Sequence, residues 1–155
     1  MKTADKIATE TILLAKNLTT DFPRSPRDTL GGVIIGMRTL DKCRAMLANT
    51  IGEYHYNCPL DKLFLEFVGI SAEEFSEKVA QGLTDAQMSE FVTEKLTGKT
   101  KEDIVQFNNK YRYMRLSELD IALQVYFEDY IPKYLPKNKV VYHWFDVYDI
   151  EEQRL

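Results

Sequence analysis

CPLDKLFLEFVGISAEEFSEKVAQGLTDAQMSEFV, residues 58–92, decides the fold class. Pro59 suits the first position of a helix because its missing N–H is one that no helix start can use, which makes Cys58 the N-cap. Gly69 ends that helix near Val68. Ser71 with Glu74, and Thr84 with Gln87, each set a hydroxyl three residues before a group that reaches back to the backbone, the pattern that closes a helix start. Behind them Phe75 and Val79, then Met88, Phe91 and Val92, recur at helical spacing. Downstream the signature repeats at Thr100 with Asp103, ahead of Ile104, Phe107 and Tyr111. It repeats again at Ser117 with Asp120, on the stripe Leu119, Leu123, Tyr126 and Tyr130.

Upstream, Ile7, Thr11, Leu14 and Leu18 fall on one stripe of an opening helix, so residues 1–17 read as an N-terminal helical extension. Pro23, Pro26, Gly31 and Gly32 make Thr19–Gly32 a loop that holds one short turn, with Ser25 as its cap and Asp28 at its third position. A second helix is expected from Val33 to about Asn49. Ile34, Met37, Leu40, Leu47 and Ile51 face inward, and Arg38, Asp41, Lys42 and Arg44 line its polar edge. Val140–Tyr148 is rich in β-branched and aromatic residues, but Trp144, Phe145 and Tyr148 share a helical face. A lone strand would have nothing to pair with, which favours a short final helix. Residues 1–155 are thus expected to form one all-α domain, a compact bundle of about six or seven helices without a large sheet.

The 155 residues are 45% hydrophobic and 12% aromatic, enough material for one core without metal or disulfide support. Twenty Lys and Arg against 24 Asp and Glu leave a net charge of −4, which argues against broad nucleic-acid or anionic-membrane binding. The opening residues carry Lys2, Asp5, Lys6 and Glu10 and hold no uninterrupted apolar run, so neither export signal nor membrane span is read there, and a cytoplasmic protein is expected. Cys43 and Cys58 are accordingly expected as free thiols.

Three segments, FPRSPRDTLGG (22–32), LDKCRAMLANTIGEYHYNCPLD (40–61) and WFDVYDIEE (144–152), resemble the bacterial domain-of-unknown-function 5069 family. The resemblance runs from about Leu18 to Glu152 and is most specific in the middle segment. It implies a bacterial protein with a shared helical architecture, and it supplies no catalytic residues.

Chemistry concentrates in Gly52–Asp61, where a thiol, an imidazole, two phenols and two carboxylates surround a helix start. Cys58 at that start has its thiolate favoured by unpaired N–H groups and the dipole, and His55 is close enough in sequence to act as its base. Tyr54 and Tyr56 are the candidate proton donors. Arg24 and Arg27 flank the Ser25-Pro26 turn, and with Arg38, Asp41 and Asp61 they outline a site for a small anionic ligand. The competing account pairs these arginines with Asp21, Asp28 and Asp41 merely to fix the loop, and leaves Cys58 as a small capping residue. A metal reading joining His55, Cys58, Cys43 and His143 has only one closely spaced pair, so no metal is assigned. Asp146, Asp149 and Glu152 are read as solvated acids, and Tyr126, Tyr130 and Tyr134, at steps of four, as helical core. No cofactor is implied, since neither GxGxxG nor GxxxxGK with Ser or Thr occurs. Two functions follow: a small-molecule site, enzymatic through Cys58 and His55, or a non-catalytic module that binds another protein through an aromatic face. Oligomeric state is left open.

Overall fold

The computed structural model describes residues 6–155, so residues 1–5 of the expected N-terminal extension lie outside the described residues. The fold is predominantly helical, as expected. In chain order come α1 (Thr9–Leu14), β1 (Thr29–Leu30), β2 (Val33–Ile34), α2 (Gly36–Leu47), α3 (Pro59–Val68), α4 (Ala72–Val79), α5 (Asp85–Lys95), α6 (Lys101–Arg112), α7 (Ile121–Tyr134) and α8 (Trp144–Glu151). They group into two compact units, Met1–Lys101 and Glu102–Leu155.

In the first unit the capping signals act where they stand in sequence. Cys58 is the N-cap of α3 and Gly69, left-handed at φ 85°, its C-cap. Ser71 Oγ accepts from the Glu74 N–H at 3.0 Å to start α4. At the start of α5, Thr84 and Gln87 exchange bonds, their N–H groups reaching Oε1 at 2.9 Å and Oγ1 at 3.2 Å. The apolar stripes behind these caps bury Phe64, Phe75, Val79, Met88 and Val92. Phe64 meets Phe75 edge to face with ring centroids 5.9 Å apart, a favoured aromatic geometry.

The expected start of the second helix is corrected. Gly31 at φ 61° and Gly32 at φ 82° take the two left-handed positions of a tight hairpin turn. Val33 and Ile34 therefore pair back onto Leu30 and Thr29, and α2 begins only at Gly36. Between them Ile35 is left-handed at φ 78°, a conformation that costs a β-branched residue about 1–3 kcal/mol. Complete burial holds it there, as do a bond from its N–H to the Pro26 carbonyl at 2.8 Å and one from the Thr39 N–H to its own carbonyl at 3.1 Å. The polar-edge assignment also fails: Arg38, Asp41, Lys42 and Arg44 are all buried.

The opening helix is shorter than its stripe. Ala15 is extended, and Leu18 reaches the interior on non-helical chain anchored by its N–H on the Thr50 carbonyl at 2.8 Å, while Leu14 stays exposed. Within α1, Thr11 is buried and donates to the Val79 carbonyl at 2.8 Å.

In the second unit, Ser117 does not start a helix. Residues Leu116–Glu118 form a single 3-10 turn, and the N-cap of α7 is Asp120. The tyrosine ladder is corrected too. Tyr126 and Tyr134 are exposed, and the half-buried Tyr130 donates its hydroxyl to the Glu151 carboxylate at 2.6 Å, because on this helix the buried ring is Phe127. The tail forms the short helix α8, as expected. Its acids are buried rather than solvated: Asp146 accepts from the N–H groups of Tyr142 and His143, both at 2.9 Å. Asp149 and Glu152 both bind Arg154, at 2.9 and 2.8 Å.

Gly36 shows how closely the hairpin and α3 bear on α2. A methyl there would sit 2.5 Å from Leu30 Cβ and 2.7 Å from Phe64 Cε1. Helix propensity favours alanine by up to about 1 kcal/mol, whereas overpacking of a filled core costs about 1–3 kcal/mol. Packing wins, because Leu30 Cβ is tied to the backbone. Gly36→Ala is expected to lower the urea midpoint at unchanged m-value, and a raised midpoint would show that the contact relaxes freely.

Candidate functional site

Helix α2 carries Arg38, Thr39, Asp41, Lys42 and Arg44 out of water within two turns. A buried ion without partners is prohibitively costly, so every one of these charges must be met by another element. The pairing is what brings the loops of the site together.

On one side stands Asp41. Its carboxylate accepts three bonds from a single residue: the Arg24 N–H at 2.8 Å, Nε at 3.0 Å and Nη2 at 2.8 Å. Arg24 then reaches Asp85 at the start of α5 with Nη1 at 2.8 Å. Arg44 Nη1 donates to the same carboxylate at 2.7 Å, and its Nη2 to the Leu83 carbonyl at 3.0 Å. The hydrogen bond from Arg24 holds the Asp85 carboxyl below the usual range, against partial burial, which works the other way, and with help from Arg44. The proline-arginine loop is closed by its own turn, with the Arg27 N–H on Ser25 Oγ at 3.0 Å and the Ser25 N–H on Asp28 Oδ2 at 3.2 Å.

On the other side Asp61, in the first turn of α3, is completely buried. It lies 3.0 Å from the ammonium of Lys42, itself only 4% exposed. The Thr39 hydroxyl donates to Asp61 at 2.7 Å and the Asn57 N–H at 2.9 Å. Lys42 also donates to the sulfur of Cys58 at 3.2 Å. Arg38 joins the two halves. Its Nη1 bonds the Arg24 carbonyl at 3.2 Å while its guanidinium lies 5.7 Å from the centre of the Tyr54 ring, within cation–π range.

A family model for a domain of unknown function, DUF5069, matches residues 20–154. The chain belongs to this family. The DUF5069 span takes in both halves of the charge network and leaves α1 before it. No curated protein matches the chain.

Within the DUF5069 region the two cysteines differ in kind. Both are free, but Cys43 is fully buried and its burial pushes the thiol well up, whereas Cys58 is half-buried at a helix start. Tyr56 is also held protonated by burial. Its hydroxyl donates to the Ala72 carbonyl at 2.7 Å and its ring stacks on Phe75.

Of the residues singled out in the sequence, Arg24, Arg38, Asp41 and Tyr54 come together at one end, and Cys58 and Asp61 at the other. Arg27 is half-buried in its turn, and His55 is exposed. The group on the Cys58 sulfur is Lys42, which sequence reasoning placed with Arg44 on a polar edge, and Thr39 and Asp85 were not picked out as site residues at all. The available signal was weak: an acid at the third position of α3 and a lysine in a segment of mixed charge. Among the described residues no three His, Cys, Asp or Glu side chains converge as metal ligands. A surface depression along α5, lined by Ala86, Ser89, Glu90, Thr93 and Glu94, carries none of the candidate residues. Among the described residues no helix is long and apolar enough to cross a membrane.

The two carboxylates of the first half differ in exposure, and their loss is expected to differ accordingly. Asp41→Asn leaves Arg24 short of its buried partner and is expected to cost about 3–5 kcal/mol in urea unfolding. Asp85 is 44% exposed, which screens its pair with Arg24, but the same carboxylate meets Arg44, itself 3% exposed, so Asp85→Asn is expected to cost about 1–3 kcal/mol, less than Asp41→Asn. Because the folded pKa of Asp85 is depressed, its contribution is present above the unfolded carboxyl value of about 3.9 and is lost as pH falls through the lower folded value. The gap between wild type and Asp85→Asn is therefore expected to close on acidification below that value. A gap that widens there would contradict the assignment.

Proposed function

We propose that the chain carries a small-molecule site at the start of α3, in which Cys58 is the nucleophile and Lys42 its charge partner. The observation that supports this reading is the Lys42 ammonium 3.2 Å from the Cys58 sulfur, at a helix N-terminus and beside an otherwise buried ion pair. Cysteines act as nucleophiles in electropositive, partly exposed surroundings of this kind. Asp61 orients Lys42 while its other lone pairs are taken by Thr39 and Asn57. His55, exposed on the loop before α3, serves as the base for an incoming ligand, while Tyr54 packs against Arg38 at the other end of the network. The ligand class is a small electrophilic metabolite bearing a carboxylate or phosphate. Arg24 and Arg44 are committed to Asp41 and Asp85 as a brace, so its counter-charges are Lys42 at the sulfur and the exposed Lys62 near the start of α3. Free thiols fit a cytoplasmic setting. The acids of α7, Glu128 and Asp129, stay exposed and disfavour nucleic acid.

The test uses a Cys43→Ser background, in which Cys58 is the only thiol. Cys58 is expected to react with iodoacetate and iodoacetamide faster than a free thiol at neutral pH, with the anionic reagent gaining relative to the neutral one. Lys42→Met is expected to remove that gain. Slow labelling by both reagents across the pH range would end the nucleophile assignment. Cys43 in the parent protein is expected to label only on unfolding.

A second reading, a module that binds another protein, is favoured by the aromatic and aliphatic surface of α7. Ile121 is 72% exposed, Val125 59% and Tyr126 54%. A lone soluble helix rarely presents so much apolar surface to water. Under this reading Val125→Asp and Tyr126→Asp leave stability within about 0.5 kcal/mol of wild type but shift a sedimentation profile or abolish a co-purifying partner. A monomeric wild type with no partner and an unchanged profile would remove it.

A further inference from the structure

A sulfur and a primary amine 3.2 Å apart are within reach of a covalent bond as well as a hydrogen bond. Three features of this pair point beyond ligand chemistry. Cys58 is half-buried, open to a molecule as small as peroxide, while Cys43 is sealed in the core. Lys42 is held in place by Asp61 on one side and aimed at the sulfur on the other, so the amine is already delivered to whatever forms on Cys58. Cys43, the one other thiol of the chain, is fully buried, so an oxidised Cys58 meets the lysine before it meets a resolving cysteine.

We infer that Cys58 and Lys42 form an oxidation-driven cross-link, a reversible Sγ–Nζ bond made when peroxide reaches the site. The sulfur, as thiolate, attacks one oxygen of hydrogen peroxide and the O–O bond breaks. The departing hydroxide takes a proton from the neighbouring Lys42 ammonium and leaves as water, so that a sulfenic acid now faces a neutral amine. The amine nitrogen attacks the sulfenyl sulfur, the S–O bond breaks, and the hydroxyl leaves with an amine proton as a second water. Thiolate, ammonium and one peroxide thus yield the sulfenamide and two waters, with sulfur oxidised by two electrons and peroxide reduced by two. Nitrogen capture of this kind is known for backbone amides beside a sulfenic acid, and it protects sulfur from irreversible oxidation. A thiol reductant attacks the S–N bond and restores both side chains.

Once linked, the Lys42 nitrogen keeps a single N–H but no charge, and the completely buried Asp61 carboxylate loses its cation. The bond therefore switches off the proposed nucleophile and loosens the start of α3 together. The inference shares its two residues with the proposed thiol site but requires no metabolite, so the two can fail separately.

The full-length wild-type protein is treated with a small excess of hydrogen peroxide, digested and mapped by mass spectrometry. The expected product joins the peptides containing Lys42 and Cys58 with net loss of two hydrogens, blocks tryptic cleavage after Lys42 and disappears on treatment with dithiothreitol. In Lys42→Arg, which keeps a cation against Asp61, dimedone is expected to trap Cys58 as the sulfenic acid. Cys58 found as sulfinic acid, joined to Cys43, or unmodified, with Lys42 free in each case, would overturn the cross-link. Fast alkylation of Cys58 in the same protein before peroxide is added would leave the thiol site standing. A cross-link in a protein whose Cys58 alkylates slowly would do the reverse.

Discussion

Two carboxylates removed from water, Asp41 and Asp61, govern the first unit of this protein. Neither can stay ionised at its depth without a cation and further donors, and each draws its partners from a different element. Asp41 takes both the backbone and the guanidinium of Arg24, which fixes the proline-arginine loop against α2. Asp61 takes Lys42, Thr39 and the Asn57 N–H, which fixes the loop before α3 and sets the position of Cys58. Such pairs are poor sources of net stability, since desolvation offsets most of their attraction. Breaking one is nevertheless expensive, and that asymmetry makes them strong determinants of geometry.

The hairpin and the left-handed Ile35 serve the same end. The two glycines let the chain reverse within two residues, and Ile35 then redirects it so that α2 starts beneath Leu30 and beside Phe64. Arg38 and Lys42 lie one turn apart on that helix, and each reaches a different loop. Tyr56 and Cys43, pushed toward their protonated forms by burial, belong to the packed interior beneath the site. The sulfur that a ligand or oxidant can reach is Cys58.

Local chemistry made much of this legible in sequence. Cys58-Pro59, Ser71 with Glu74, and Thr84 with Gln87 mark helix starts through bonds that span only three residues, and all three starts fall where they were read. Gly69 ends α3 for an equally local reason. The failures share a different cause. Val33–Ile34 has a helical stripe behind it, yet pairing with Thr29–Leu30 took precedence. Ser117 offers a good cap, yet the chain makes a 3-10 turn there and uses Asp120. Arg38, Asp41, Lys42 and Arg44 look like a solvated edge until Arg24, Asp61 and Asp85 come in from positions 14 to 41 residues away to meet them.

The order of residues alone thus determined where most helices begin and end, that they predominate, and that a thiol stands at one helix start. All of these rest on contacts within a turn or two of chain. Only the tertiary structure decided which charges are buried, that Lys42 rather than His55 lies on the Cys58 sulfur, and that Tyr126 and Tyr134 face outward. A charged side chain reads the same at an edge and in a core, and what separates the two is a partner from a distant part of the chain, which residue spacing does not encode.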